Sequence, residues 1–524
     1  MALAAAALSG ILAVLAYPFS VIDGPATSPA DWWSFPPLIL VAYVPLFVVA
    51  SRELRGRRRF LLGWITGAVH IACMQRWIGG TLVAMSHFPE WAGALSVVVY
   101  GAWAGLGWGL MTWCIVPARE RLGPLAPWLL AVAFAFIERY TPVLFPFHLA
   151  GAFFETPALL QAAELVGVLG LSVPIWALNL TLAELRRGEP RSLLAAAAPT
   201  AVCLALGLAY SPETPAPERH LDVLMVQPNV TTAQKNAKGP QVRMNVYRDT
   251  VAMTRAAIGG APPDVIVWPE GGFPFTYTPT DPPAASNGKP VKTDVRTRYS
   301  AALRGFAKEI GRPLITGSIA STHDGVEERD SNSALFFAGA GAPAHRYDKR
   351  MLLLFGERVP FADTFPALRD SVPGMSHHLG GQTPSTWEVA GVRLALTICY
   401  EAIFADFARD ALAAQDAHVL LNLTNDVWFG HTVAAAHHLM VQVPRALENR
   451  RWLVRSTNSG ISAFVSPSGE LLGATALSAP ATTRLRLPIT APVVTFYARF
   501  GDWPLAGLAA VLGLVAAWRR RRAP

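Results

Sequence analysis

The chain has 524 residues, which is more than one ordinary domain contains. Apolar residues make up 52% of the sequence and charged residues only 15%, so the composition excludes a small soluble domain and favours a protein that is partly embedded in a membrane. The net charge of +8 reflects arginines that cluster beside apolar segments, with no basic helix interleaved with aromatic residues, and this pattern argues against a nucleic-acid partner.

Apolar segments long enough to cross a bilayer predict about eight transmembrane helices. The predicted spans are 3–22, 36–50, 60–80, 92–116, 125–145, 158–184, 192–210 and 501–518. We therefore predict a multi-domain protein in which a transmembrane helical bundle precedes a large globular domain. The predicted boundaries are 1–210 for the bundle, 211–498 for the globular domain, and 499–524 for a last transmembrane helix with a basic cytoplasmic tail.

Arginine clusters follow each even-numbered span and predict the orientation of the chain. Five arginines lie between residues 52 and 59, two at 119 and 121, three between 186 and 191, and four at 519–522. Because basic loops stay on the cytoplasmic side, both termini are predicted to be cytoplasmic. The globular domain is then on the other face, which in a bacterium is the periplasmic face of the inner membrane. The first span lacks a basic start, so we interpret it as uncleaved rather than as a signal peptide.

Short apolar runs alternate with helical patterns in the globular domain and predict a layered α/β fold. The runs are rich in Val, Ile and Leu, which is typical of strands buried on both faces. Strands are predicted at 221–226, 264–268, 313–319, 333–337, 392–398, 418–424, 452–456 and 461–465, and helices at 240–258, 295–310, 402–414 and 433–450. The segments 276–294 and 366–388 are predicted to be loops.

Cys399 is the only cysteine of the predicted globular domain. The other three lie inside apolar segments, where cysteine is usually a small core residue, and they are Cys73, Cys114 and Cys203. Neither a disulfide framework nor a zinc site is indicated by their spacing. The adjacent pairs His377-His378 and His437-His438 point in different directions on a helix or strand, so they do not predict a metal site either.

Three predicted strands end in a reactive side chain, and these are Glu270, Lys349 and Cys399. Strand ends are where sites collect in α/β sheets, so the three groups are expected to converge. A thiol near neutral pH is mostly protonated and needs a base or a cationic neighbour. Glu270 would take the thiol proton and return it to a leaving group. Lys349 would stabilise the thiolate and then an oxyanion, together with a backbone N–H that follows Cys399.

Each of these residues alone has a structural alternative. Cys399 alone fits a buried structural thiol, and Glu270 fits a turn residue or an ion-pair partner. Lys349 fits one member of a solvated charge run, and Glu357 fits a partner of Arg358. The combination of three reactive strand ends is what favours catalysis.

The motifs together resemble the nitrilase (carbon–nitrogen hydrolase) superfamily, with its Glu-Lys-Cys triad. Their position after seven apolar spans and before one more is similar to the membrane-anchored apolipoprotein N-acyltransferase family. The resemblance covers nearly the whole chain. The matching motifs are WPE at 268–270, YDKR at 347–350, FGERVPF at 355–361, ICYE at 398–401, NDVWFG at 425–430 and RSTNSGISA at 455–463.

This resemblance implies an αββα sandwich and a role for each motif residue. Glu270 would be the general base, Lys349 the oxyanion-stabilising lysine and Cys399 the nucleophile that becomes a thioester. Supporting or substrate-binding roles are implied for Glu357, Tyr400, Glu401 and Trp428. No metal and no organic cofactor are implied. The chain departs from the family at Gly271, where a small hydroxyl residue is common, and in 227–245, which lacks an expected tryptophan.

The activity implied by the resemblance is acyl transfer in two steps. Cys399 would take an acyl chain from a membrane phospholipid and pass it to the α-amino group of a diacylglyceryl-modified cysteine at the N-terminus of an apolipoprotein. Two alternatives stay open on the sequence. One is a membrane-anchored amidase or nitrilase-like hydrolase that uses water as the acceptor. The other is a non-catalytic protein that binds lipid or lipoprotein.

Overall fold

The computed structural model describes most of the chain. The described residues are 1–22, 31–53, 55–86, 88–185, 198, 201–202, 205, 207, 209–210, 212, 215–237, 239–278, 295–323, 328–339, 343–353, 357, 364–365 and 378–522. Much of the predicted span 192–210 lies outside these residues, as do most of the predicted loop 276–294 and part of 366–388. Of the FGERVPF motif, only Glu357 is described.

The first part of the described chain is almost entirely helical. Its helices are α1 Ala2–Leu15, α2 Val44–Arg52, α3 Gly56–Met74, α4 Trp77–Ser86, α5 Glu90–Leu122, α6 Ala126–Tyr140 and α7 Ala163–Glu184. Short 3-10 turns cover Pro36–Leu40, Gly123–Leu125, Leu149–Phe153 and Pro157–Leu160. Strands β1 Ser20–Ile22 and β2 Asp31–Trp33 form a small antiparallel pair between α1 and α2.

Two of the described helices, α5 and α7, are long and apolar enough to cross a membrane. The prediction of about eight spans is therefore not confirmed. Several predicted spans are divided or shortened because the sequence interrupts the helix. Pro36 and Pro37 begin a 3-10 turn in place of the start of the second span, so that α2 has only nine residues. The third span divides between α3 and α4 at Gln75.

The second part of the chain contains two six-stranded sheets. The first sheet has the order β14–β3–β4–β5–β6–β7 and the second has the order β13–β12–β11–β10–β9–β8. Strands β3, β4 and β5 run parallel, as do β9, β10 and β11, and the other pairs are antiparallel. The strands are β3 Arg219–Gln227, β4 Val265–Val267, β5 Pro313–His323, β6 Glu328–Ala338, β7 Pro343–Asp348, β8 Thr386–Val389, β9 Val392–Ile398, β10 Val419–Thr424, β11 Trp452–Thr457, β12 Ala463–Val465, β13 Leu471–Leu472 and β14 Ala481–Ile489.

Helices pack on the outer face of each sheet, whereas the last two pack on the helical part. The helices of the second part are α8 Thr232–Asn236, α9 Pro240–Ile258, α10 Val295–Ile310, α11 Ala405–Ala413, α12 Ala434–Met440, α13 Val443–Asn449, α14 Phe496–Phe500 and α15 Trp503–Arg522. Helices α11 and α13 contact the second sheet, and α14 and α15 contact α7. The two inner faces pack together through side chains such as Val223, Val267 and Leu396. The outer face of the first sheet packs on α9 and α10 through residues such as Val251 and Phe306. The predicted layered α/β fold is confirmed, with the layers in the order αββα.

The predicted strands are confirmed within a few residues, and 392–398 has the same bounds as β9. The missed strands lie at or near sheet edges, where the apolar pattern is weak. In β14, for example, exposed and half-buried residues alternate over Ala481–Leu485, because β14 forms the edge of the first sheet. The predicted helix 433–450 is divided into α12 and α13 at Val441-Gln442, before Pro444 at the start of α13.

The helical part and the second sheet share one continuous apolar core. That core includes Ala135 of α6, Leu420 of β10 and Leu439 of α12. Polar contacts cross the same boundary. His437 donates from Nε2 to the Pro18 carbonyl at 2.6 Å and accepts from the Trp77 indole at 3.2 Å through Nδ1. The α/β domain is therefore fixed to the helices by buried contacts on several elements.

Candidate active site

The three reactive residues predicted from the sequence lie around one cavity of about 420 Å³. Glu270 lies shortly after β4, Lys349 directly after β7, and Cys399 directly after β9. Glu270 and Lys349 follow strands of the first sheet, whereas Cys399 follows a strand of the second. The cavity therefore lies where the ends of strands from both sheets meet, as the sequence predicts for the three groups.

Cys399 lies at a sharp change in backbone direction. The strand β9 that precedes it is almost entirely buried, and the residues Cys399–Ile403 form a 3-10 turn. Cys399 itself has φ 53°, a left-handed conformation that is uncommon for a residue with a side chain. Its carbonyl accepts a hydrogen bond from the Asn422 amide at 3.2 Å. Strained conformations of this kind cluster at functional sites, and here the turn places the thiol at the cavity.

Lys349 lies between two carboxylates. Its Nζ is 2.7 Å from Glu357 Oε2 and 3.8 Å from Glu270 Oε1, and the lysine side chain is almost fully buried. The Asn332 amide donates to both carboxylates, to Glu270 Oε1 at 2.6 Å and to Glu357 Oε1 at 2.7 Å. These four side chains form a connected polar group, in which each charge has a partner of opposite sign or a hydrogen bond.

Asn332 was not identified from the sequence. It lies within β6, and its backbone carbonyl also accepts a hydrogen bond from the Lys349 amide at 2.8 Å. A polar residue in a strand is ordinary, so its position gave no distinct signal. The only indication was that Asn332 is followed by the apolar run 334–338, which marks β6 as a buried strand.

Burial keeps the Cys399 thiol protonated. Desolvation, reinforced by the nearby Glu270 carboxylate, raises the pKa of Cys399 to about 12, although Lys349 acts in the opposite direction. Burial also raises the pKa of Glu270, because the attraction of Lys349 does not cancel desolvation and the repulsion of Glu357. The thiol therefore needs a base before it can attack, and Glu270 is a carboxyl group with raised basicity.

The charge on Lys349 is stabilised in the same group. Burial alone would lower the pKa of Lys349, but the Glu357 and Glu270 carboxylates outweigh it and raise the pKa well above the ordinary value. Burial alone would likewise raise the pKa of Glu357, but Lys349 outweighs it and the pKa falls. Lys349 and Glu357 are therefore a stable ion pair, whereas Glu270 is the member best suited to exchange a proton.

One oxygen of Glu270 is available for proton transfer. Its Oε1 accepts from Asn332, but its Oε2 is buried and has no hydrogen-bond partner among the described residues. A buried carboxylate oxygen without a partner is costly in a folded protein unless it has a functional use. Glu270 lines the same cavity as Cys399, so this oxygen is available to a proton of a reacting group.

Glu401 connects the two sheets beneath the cavity and does not line it. Its buried carboxylate accepts from the Tyr347 hydroxyl at 2.8 Å and from the Ile398 amide at 2.7 Å. It also accepts from the backbone amides of Arg350 and Met351, on the segment that carries Lys349. Glu401 thus fixes the end of β7 relative to the end of β9, and with them the positions of Lys349 and Cys399.

Tyr400 and Trp428, which the sequence predicts as supporting residues, differ in their positions relative to the cavity. The Tyr400 hydroxyl donates to the Leu144 carbonyl at 2.5 Å, and its ring packs against Phe145. Tyr400 therefore contacts the helical part, not the cavity wall. Trp428 does line the cavity, and its ring lies 4.0 Å from Lys235 Nζ.

A buried ionic network supports the site from the side of the second sheet. Asp426 accepts from Arg455 Nη2 at 2.7 Å and pairs with His438 Nδ1 at 2.8 Å, and all three side chains are buried. Asn425, next to Asp426, lines the cavity and accepts from Asn458 at 3.1 Å. The motifs 425–430 and 455–463 therefore contribute Asn425, Trp428 and Asn458 to the lining of the cavity. In the part of the chain that the structure describes, no cluster of His, Cys, Asp and Glu is suited to a metal ion.

Gly317 of β5 allows the close approach of the backbone that carries Glu270. A Cβ at this position would lie 2.5 Å from the Glu270 Cα and 2.7 Å from the Pro269 carbonyl oxygen. Since both are backbone atoms, we expect Gly317→Ala to lower the free energy of unfolding by about 1–3 kcal/mol. Denaturant unfolding measures this change. Gly305→Ala is the control, because a Cβ there meets nothing within 4 Å in helix α10 and alanine should stabilise that helix by about 0.5–1 kcal/mol. Equal stability of Gly317→Ala and the wild type would contradict the close contact.

Comparison with known proteins identifies two regions of the chain. Residues 219–483 match the family described as "Carbon-nitrogen hydrolase", and residues 9–181 match the family described as "Apolipoprotein N-acyltransferase N-terminal domain". Among solved structures, an amidase from Nesterenkonia sp. AN1 is 21% identical, with a TM-score of 0.38, over 56% of this chain and 99% of that chain.

Relatives named apolipoprotein N-acyltransferase match over nearly the whole length. The one from Azotobacter vinelandii is 30% identical over 95% of this chain and 93% of its own length. The one from Geobacter metallireducens is 29% identical over 98% of this chain and 95% of its own length. The chain therefore belongs to the apolipoprotein N-acyltransferase family, with its candidate site in the carbon–nitrogen hydrolase domain.

Proposed function

We propose that the protein transfers an acyl chain from a membrane phospholipid to an apolipoprotein through a thioester on Cys399. The observation that carries this proposal is the single cavity bordered by Cys399, Glu270, Lys349 and Glu357. A nucleophile, a base and a buried cation within one cavity are the groups that acyl transfer needs. Relatives that match over nearly the whole chain are named apolipoprotein N-acyltransferase.

In the first step, Glu270 takes the proton of the Cys399 thiol as the sulfur attacks the ester carbonyl of the phospholipid. The carbonyl oxygen becomes an oxyanion, which Lys349 stabilises from its fixed position between Glu270 and Glu357. When the intermediate collapses, the carbon–oxygen bond of the ester breaks. The leaving alkoxide takes the proton from Glu270, so that a neutral lysophospholipid hydroxyl is released and a thioester remains.

In the second step, the α-amino group of the diacylglyceryl-modified cysteine attacks the thioester. Glu270 takes a proton from the amine, Lys349 again stabilises the oxyanion, and the carbon–sulfur bond breaks. The proton then returns from Glu270 to the Cys399 sulfur. The products are an N-acylated lipoprotein and the free enzyme, so the reaction balances without a metal or an organic cofactor.

The cavity wall supports a lipid substrate. Phe273, Phe275 and Trp428 line the cavity, and Met85 from the end of α4 reaches it from the helical part. Apolar walls limit the water that competes with the amine for the thioester. We propose that these residues receive the acyl chain. Phe429, by contrast, packs against Trp77 at 4.9 Å between ring centroids and belongs to the contact with the helices.

We further propose that the chain is a multi-pass protein of the bacterial inner membrane, with the catalytic domain on the periplasmic face and both termini in the cytoplasm. The proposed division is a bundle of about seven spans over 1–210, a catalytic domain over 211–498, and one further span with a basic tail over 499–524. The arginine clusters after each even-numbered span support this orientation. Labelling of single introduced cysteines from each side of the membrane would test it.

The fate of the acyl group distinguishes transfer from hydrolysis. The purified protein is incubated with a phospholipid that carries a labelled acyl chain and with a diacylglyceryl-cysteine peptide. Transfer predicts label on the peptide amine, whereas an amidase-like hydrolase predicts labelled free fatty acid. Release of fatty acid alone, with no labelled peptide, would show that the acceptor is water and that the proposed function is wrong.

The rate of Cys399 acylation is expected to rise with pH in a single step and then to stay constant. Glu270 must be ionised to accept the thiol proton, so activity is lost as the pH falls through its pKa. Burial raises that pKa, so the midpoint should lie above that of an ordinary glutamate. Lys349 stays protonated on the alkaline side, because its pKa is raised by Glu357 and Glu270 despite burial.

Single-turnover acylation measured from about pH 5 to about pH 9 gives this profile. Glu309→Gln is the control. Glu309 lies near the end of helix α10, and its exposed carboxylate pairs with Arg255 of α9. Its loss should leave the midpoint of the pH profile unchanged. A midpoint at or below the range of ordinary glutamates would contradict the assignment of Glu270 as the base.

A further inference from the structure

Two cations on the wall of the cavity form no ion pair and no side-chain hydrogen bond within the described part of the chain. They are Lys235 of α8 and Arg243 of α9, and they line the cavity together with Cys399 and Glu270. Lys349, in contrast, pairs with Glu357 at 2.7 Å and approaches Glu270 at 3.8 Å. Lys349 is therefore the cation that lies closest to these two carboxylates, and the charges of Lys235 and Arg243 remain available to a ligand.

The segment that carries Lys235 is held firmly in place. The Val230 amide donates to Asn458 Oδ1 at 2.8 Å, and the Asn458 amide donates back to the Val230 carbonyl at 2.8 Å. Thr231 and Gln234 then form reciprocal hydrogen bonds that cap α8. These contacts present Lys235 to the cavity, where its Nζ lies 4.0 Å from the centre of the Trp428 ring.

The indole face does not satisfy the Lys235 ammonium group. A lysine ammonium has three N–H donors, and an aromatic face supplies no lone pair to accept them. Desolvation at the cavity outweighs the attraction of the Glu270 carboxylate and lowers the pKa of Lys235 to about 8. The guanidinium of Arg243 can form two parallel hydrogen bonds to an anion.

We propose that Lys235 and Arg243 form a subsite for the phosphodiester of the phospholipid donor, with Trp428 as its apolar side. This assignment rests on the proposed function, because a phospholipid is the substrate that brings a phosphate and an ester in one molecule. The ester carbonyl would lie at Cys399 while the phosphate contacts the two cations. The subsite would thus hold the donor in the orientation needed for attack.

The test compares two donors with the same acyl chains, phosphatidylethanolamine and diacylglycerol, of which only the first carries a phosphate. Intact-mass measurement gives the rate of acyl-enzyme formation with each donor. For Lys235→Gln/Arg243→Gln, we expect the ratio of the phospholipid rate to the diacylglycerol rate to fall by about tenfold or more, because charge-assisted hydrogen bonds to phosphate are lost. The control is Lys308→Gln/Arg298→Gln, which removes two exposed charges from α10 and should keep the wild-type ratio.

An unchanged ratio in the Lys235/Arg243 variant would overturn the proposal, whether both rates fall equally or neither falls. The second half-reaction distinguishes the donor from the acceptor as the source of the anion. If the variant instead slows transfer from a preloaded acyl-enzyme to the peptide, the cations serve the acceptor and the proposal is wrong. If the wild type forms no adduct with phosphatidylethanolamine, the proposed function itself fails.

Discussion

Cys399→Ala is expected to lower the rate of acyl transfer by about 10⁴-fold or more, because Cys399 is the only thiol among the described residues that line the cavity. The thiol follows a buried strand, lies at a left-handed turn, and lines the same cavity as Glu270. The measurement is the formation of N-acylated peptide, together with intact mass after exposure to phospholipid. The wild type should gain the mass of one acyl chain, and the variant should gain none.

Cys73→Ala is the matched control for this experiment. Cys73 is a free thiol in α3 and is exposed, so its removal should leave both the adduct and the transfer rate unchanged. If neither the wild type nor Cys399→Ala transfers the acyl chain, while both still bind lipid or lipoprotein, the non-catalytic alternative is supported. An adduct on Cys399→Ala would place the nucleophile at another residue.

The second large effect is expected for Lys349→Met, which should reduce both stability and activity. The variant leaves Glu357 and Glu270 buried without their cation, and breaking a buried ion pair in this way typically costs about 3–5 kcal/mol. Removal of one group that stabilises an oxyanion typically lowers the rate by about 10²–10³-fold. Denaturant unfolding and single-turnover acylation measure the two effects separately.

A double variant separates the structural effect of Lys349 from its chemical effect. Lys349→Met/Glu357→Gln removes the uncompensated charge, so much of the lost stability should return, whereas the rate of acylation should stay low. This variant is informative because Glu357 pairs with Lys349 and is linked to Cys399 only through that lysine. Recovery of activity together with stability would show that Lys349 is needed for the fold alone.

The sequence predicted the main strands and the three reactive groups because both depend on local patterns. The run 392–398 is apolar throughout and ends at Cys399, and it forms β9 with the same bounds. The carboxyl ends of such strands meet in space, so Glu270, Lys349 and Cys399 converge on one cavity as expected. The catalytic roles of these residues stay predictions until they are tested.

The residues that the sequence did not predict act through contacts between distant elements. Asn332 bridges Glu270 and Glu357 from the middle of a strand, and nothing in its neighbourhood marks it. Lys235 follows no strand-end motif and reaches the cavity because Asn458 fixes the preceding segment. The number of membrane spans is a different case. Hydropathy detects apolar segments, but the proline and polar residues within them divide or shorten the helices.

The hydrogen bond from Tyr400 to the Leu144 carbonyl has a consequence for the modularity of this enzyme. Tyr400, which follows Cys399, is anchored outside the α/β domain, and the helices share their core with the second sheet. A fragment cut near residue 219 would leave that face uncovered and the turn at Cys399 without its anchor. The α/β domain is therefore not a separate module that would accept any set of helices. We expect substitutions in the turn at Cys399 to require matching changes on the helical surface that Tyr400 contacts.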